Sequence, residues 1–85
     1  MPEISRFLGI VIAMFHRDHS PPHFHAYYDD HSILVEIDTG KVTGKFPRRA
    51  LTHVLEWWLQ HRDALRANWE LASKNQALRK IEPLE

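Results

Sequence analysis

The hydrophobic pattern of this 85-residue chain changes period once, at Pro47, and that change does most to fix the fold class. Before it, short β-branched and aromatic runs are punctuated by turn residues. FLGIVIAMF (7–15) reads as a strand buried on both faces, HSPP breaks it, HFHAYY resumes as a second strand, and DDHS breaks the chain again. SILVEID then alternates, with Ile33, Val35 and Ile37 on one face, and Thr39-Gly40 supplies a two-residue turn into a fourth strand, VTGKF. That turn sets Ile37 opposite Val42, Val35 opposite Gly44, Ile33 opposite Phe46 and Asp38 opposite Lys41. After Pro47, Leu51, Val54, Leu55, Trp58, Leu65, Trp69 and Ala72 recur at helical spacing. The stretch from Arg48 to Lys74 is long for one helix, and a break falls near Gln60–Asp63 or at Asn68. Ile81 and Leu84 can pin an extended tail.

Strands first and helices after, without alternation, predict an α+β fold. Its core is a four-stranded antiparallel sheet made of two β-hairpins, with one long or two shorter C-terminal helices packed on one face. No linker or repeat interrupts it, so residues 1–85 read as a single domain. The chain has no cysteine, which excludes disulfides, thiolate metal sites and cysteine nucleophiles and fits a reducing compartment. The longest apolar run is too short to span a bilayer and lacks the flanks of a secretory signal, so a soluble, cytoplasmic protein without membrane contact is expected. Eleven basic and eleven acidic residues cancel, but residues 1–40 hold two basic and six acidic side chains, against nine and five in residues 41–85.

Histidine is the compositional outlier, with five of seven between His16 and His31. A hairpin closed by His19–Pro22 sets His16 opposite His25 and Asp18 opposite His23. All four then project from one face, with Tyr27 and Met14 continuing it, while Val11, Ala13, Phe15, Phe24, Ala26 and Tyr28 face the core. Three chemistries fit. His23 and His25 can act as a general acid/base pair, as phosphodiester cleavage requires. His16, Asp18, His23 and His25 supply ligand types for a divalent transition metal such as zinc, although no metal or other cofactor is the favoured reading. Imidazole and tyrosine edges can also simply recognise a partner. The plain alternative is a solvated polar sheet end.

Lys41, Lys45, Arg48 and Arg49 fall within nine residues without an acid, and the arginines stand where a helix begins, a place suited to phosphate or RNA. His53, Trp57 and His61 form a line beside the main apolar stripe, either an exposed partner-binding strip or the edge of a broad core. For so small a chain a homodimer or partner surface is a natural use of it. There is no phosphate loop, dinucleotide turn or nucleophile elbow.

PEISRFLGIVIAMF, SPPHFHAYY, IDTGKVTGKFP, LEWWLQHRDALRANWELA and KIEPL together resemble a small bacterial family catalogued as domain of unknown function 4160. The resemblance implies a toxin-like component of a type II toxin–antitoxin pair, with a small protein encoded by a neighbouring gene as partner. The family pattern falls on Pro21, Pro22, His23, Phe24, His25 and Ala26, then on Trp57, His61, Arg62, Trp69 and Ile81–Leu84. HRDHSPP departs from it at His16 and Arg17. The combined expectation is a partner-binding, RNA-binding candidate whose His-lined sheet end and adjacent basic segment form one surface. Its binding residues are Lys45, Arg48, Arg49, Tyr27, Trp57 and His61. If it is an enzyme, metal-independent ribonuclease chemistry by His23 and His25 is the version these residues permit. The alternatives are a non-enzymatic interaction or regulatory module and a His-based metal-binding domain.

Overall fold

A computed structural model describes residues 2–84. Five strands, β1 (Glu3–Phe7), β2 (Ile10–Ala13), β3 (His23–Tyr28), β4 (His31–Glu36) and β5 (Val42–Lys45), precede two helices, α1 (Arg48–Gln60) and α2 (Arg62–Ser73). The strands form one antiparallel meander in chain order, which is the α+β class with one strand more than the pattern suggests. The extra strand comes from dividing the run 7–15. Leu8 (φ 52°) and Gly9 (φ 77°) both take left-handed backbone and make a two-residue hairpin turn, leaving Leu8 62% exposed. The turn lets Phe7 and Ile10 pair and both bury on the core face, which one uninterrupted strand cannot do.

The β2–β3 register also departs from the simple hairpin. Ala13 pairs with His25 and Val11 with Tyr27, so these four share a face, while Ile12 pairs with Ala26 on the other. Ile10, Ile12 and Met14 therefore fill the core, and Val11, Ala13 and Phe15 do not face it as the short-turn reading requires. A shift of odd number exchanges the faces of a strand. It arises here because residues 14–22 are a long connection tied elsewhere. The Met14 N–H donates to the Pro2 carbonyl (3.2 Å) and the Arg17 N–H to the Ala72 carbonyl (3.1 Å).

Between β4 and β5 the register slips by two residues, which preserves the faces. Val35 meets Val42 and Ile33 meets Gly44, closing a loop over Ile37–Gly40 instead of a two-residue turn. Ile37 is fully buried, and its N–H donates to the Pro22 carbonyl (3.0 Å). Asp38 is directed to the Arg66 guanidinium and not to Lys41.

Pro47, with its extended ψ of 141°, opens α1 and accepts from the Leu51 N–H. The helical stretch breaks at His61, which ends α1 and begins α2. Asn68 continues α2 and acts as a clamp: its side-chain amide donates to the Arg79 carbonyl (2.9 Å) and accepts from the Arg79 N–H (3.0 Å). The core joins Phe7, Ile12, Phe24, Ala26, Ile33 and Val35 to Val54, Trp57, Leu65 and Trp69. Burial of this kind contributes about 1.5–3 kcal/mol per large side chain. Trp57 is the ring buried completely, packing on Phe7 and Phe24, whereas Trp58 stays partly exposed and donates to the Ile37 carbonyl. The tail closes over β1, where the Ile81 N–H donates to the Ile4 carbonyl (2.8 Å) and the Trp57 indole holds the Glu82 carbonyl (2.8 Å).

Candidate functional site at the histidine end of the sheet

The first residue of β3 anchors the site. His23 is 2% exposed, packed against the rings of Trp69 and His25 at centroid distances of 5.2 Å each. Its Nδ1 lies 2.8 Å from the Pro21 carbonyl and its Nε2 lies 2.9 Å from Asp18 Oδ2. A carbonyl only accepts, so Nδ1 carries a proton and donates it to Pro21. On a neutral ring, Nε2 then turns its lone pair toward the Asp18 carboxylate. Two acceptors 2.9 Å apart need a cation between them, either a proton or a metal ion.

His25, two residues along and on the same face, brings a third potential ligand atom. Its Nε2 is buried, has no hydrogen-bond partner among the described residues and lies 3.7 Å from Asp18 Oδ2. The ring is wedged between Phe15, edge-on at 4.9 Å, and Tyr27, nearly parallel at 6.3 Å. One ligand atom from each of Asp18, His23 and His25 lies within 4.8 Å of the others. Tetrahedral ligands 2.0–2.2 Å from one ion stand about 3.3–3.6 Å apart, so the wider of these separations must contract for the three to close on a metal. His19 adjoins the cluster from the exposed side; its Nδ1 meets Asp18 Oδ1 at 2.9 Å and its side chain is 83% exposed.

The electrostatics follow from this packing. Burial pushes the Asp18 carboxyl up, but the His19 backbone N–H and the charge and hydrogen bond of His23 outweigh it, so the group sits below the usual carboxylate range. His25 is held below the usual imidazole range by desolvation and by the neighbouring His23, against a smaller opposing pull from Asp18. The shifts favour the carboxylate form of Asp18 and the neutral form of His25, and the share owed to His23 comes from its charged ring, whose proton a metal ion would have to displace.

The other residues singled out in the sequence are distributed differently. His16 is not part of the cluster. It is exposed, and its Nε2 donates to the Gln76 carbonyl at 2.7 Å, because the Arg17–Ala72 tie turns this part of the loop toward the end of α2. Trp57 is core and presents nothing to a partner, so the His53–Trp57–His61 line is the edge of a broad core. His61 is partly buried against the Trp57 ring at 5.4 Å. Lys45, Arg48 and Arg49 do not share a surface with the histidines. Lys45 pairs with Ser32 near the Tyr28–His31 end of the sheet, whereas His23 pairs with Glu36 at the opposite end. The five steps of β3 between those ends span about 17 Å. His19 and the Pro21 carbonyl were not singled out in the sequence; the signal available for them is adjacency to Asp18 and to the Pro-Pro turn.

The model of the family described as Domain of unknown function (DUF4160) matches residues 9–70, from the β1–β2 turn to the last turns of α2. The chain belongs to the DUF4160 family. The match spans the complete Asp18–His23–His25 cluster and leaves the C-terminal tail outside it. Comparison with curated proteins and with solved structures gave no match. No helix among the described residues of this DUF4160 chain is long and apolar enough to cross a membrane.

Proposed function

We propose that this domain binds a divalent transition metal through Asp18, His23 and His25. The observation that carries the reading is the convergence of three potential ligand atoms, one of them, His25 Nε2, buried without a hydrogen-bond partner among the described residues. The His23–Asp18 hydrogen bond engages two of the three atoms, whereas a metal ion engages all of them. The hydrogen bond from His23 Nδ1 to the Pro21 carbonyl is the outer-shell contact that orients a ligating imidazole and fixes its tautomer. Two histidines and one carboxylate leave a coordination position open, as in zinc sites that activate water and in non-haem iron sites.

The ribonuclease form of a toxin-like role draws no support from this arrangement. His23 is enclosed with both nitrogens engaged, and Arg48 and Arg49 stand at the far end of the sheet. The test is calorimetric titration of chelator-treated protein with Zn²⁺, Co²⁺ and Fe²⁺, together with melting curves with and without chelator. The reading requires one ion per chain, a Tm that rises with metal, and loss of both in Asp18→Asn and His25→Ala. Folded wild-type protein that shows no uptake and no chelator effect on Tm refutes it.

A further inference from the structure

The two edges of the sheet are treated differently. The β1 edge is occupied by the chain's own tail, with the Ile81 N–H on the Ile4 carbonyl and the Lys80 ammonium on the Glu3 carbonyl, both at 2.8 Å. Among the described residues β5 has a neighbour on one side only, and Thr43, Gly44 and Lys45 are exposed. An uncovered edge presents backbone donors and acceptors at strand spacing. Around it stand Lys41, Lys45, Arg48 and Arg49, all exposed, and none makes an ion pair among the described residues. Between Asp38 and Glu56 the chain has no acidic residue.

We propose that the β5 edge receives an extended acidic segment of a partner protein as a sixth strand. The backbone of β5, four residues long and turned at Gly44 (φ 110°), supplies a short set of directional hydrogen-bonding groups that a polypeptide can satisfy. Lys45 shares the uncovered face with Thr43, so acidic side chains on that face of the added strand lie opposite or diagonal to it. Arg48 and Arg49 extend the positive field past the strand end. The same charges disfavour a second copy of the chain. An antiparallel pairing of two β5 strands centred on Thr43 sets Lys41 opposite the other copy's Lys45, a like-charge contact repeated by symmetry. Lysines on an edge commonly serve only to repel other strands; here they repel a basic strand and select an acidic one.

The experiment is an amide-resonance titration of the full chain, in chelator so that the metal reading plays no part, with a ten-residue synthetic peptide alternating glutamate and valine. The expected result is shifts centred on Val42–Lys45, slowed hydrogen exchange there, and weaker binding in high salt. Methylation of alternate peptide amides abolishes it. Lys45→Glu weakens it about tenfold, and replacing the peptide's glutamates with lysine restores binding to that variant. The proposal is overturned if the methylated peptide binds equally well, or if β5 stays unperturbed at millimolar peptide. It is also overturned if oligouridylate and not the peptide shifts these amides, or if they are protected by a concentration-dependent homodimer.

Discussion

The two ends of the sheet both carry polar groups and use them in opposite ways. At the His23 end, side chains and loops are stitched to one another and to the helices: Asp18 to His19 and His23, Trp58 to Ile37, and Asp38 to Arg66. At the Tyr28–His31 end, Lys45, Arg48 and Arg49 stand in solvent. The difference teaches that a run of cations and a cluster of histidines in one short sequence are different kinds of feature. The histidines are held by the fold, whereas the cations are displayed by it.

The glycines of the two ends put this contrast to its most severe test. Gly40 and Gly9 share a φ of 77°, but a Cβ on Gly40 would lie 2.6 Å from the Trp58 ring, while one on Gly9 would meet Tyr28 at 3.2 Å. Gly40→Ala is expected to cost about 2–4 kcal/mol in urea unfolding, adding overpacking to left-handed strain. Gly9→Ala should cost about half as much, and equal costs would erase the contrast. Asn68→Leu should lose about 1–3 kcal/mol, because both Arg79 backbone groups forfeit their partner. A matching loss of hydrogen-exchange protection at Arg79 and Ile81 would locate that effect in the tail.

Acid should act on the histidine end. His25 has a lowered folded pKa, so the unfolded chain takes up its proton first, and stability falls as pH drops below about 6.5. Asp18 is also lowered, so its contribution is present above about 3.8 and is lost as pH falls through its lower folded value. Metal-free His25→Ala should flatten the first decline, and Asp18→Asn the second, in melting curves taken across pH. Smallest of all, Arg48→Ala and Arg49→Ala should stay within about 0.5 kcal/mol of wild type, as exposed side chains without partners do.

Much of the fold was legible because local chemistry and tertiary packing agree. The face of β3 that carries Phe24 and Ala26 is the core face, Pro47 opens a helix, and the helical stretch does break within Gln60–Asp63. The placement of Asp18, His23 and His25 together is legible as well, although β2 and β3 do not adopt the register of a short hairpin turn. His23 and His25 share a face whatever β2 does, and Asp18 reaches them from the loop. His16, the fourth ligand type in this stretch of sequence, stands apart from them. His16 differs from His19 only in which way a nine-residue connection runs, and that is decided by the Arg17–Ala72 bond, a contact across 55 positions of chain.

The sequence by itself determined the α+β class, the order of strands before helices, and the residue types of the histidine site. These follow from periodicity and composition, which act over a few residues. Tertiary structure alone decided the split of the first apolar run, the β2–β3 register, the burial of Trp57 in place of Trp58, and the distance between the histidines and the arginines. A period of two specifies the faces of a strand but not its alignment with a neighbour across a long loop. Alignment is set by which side chains the helices and the tail can cover, and that is known only once the layers have packed.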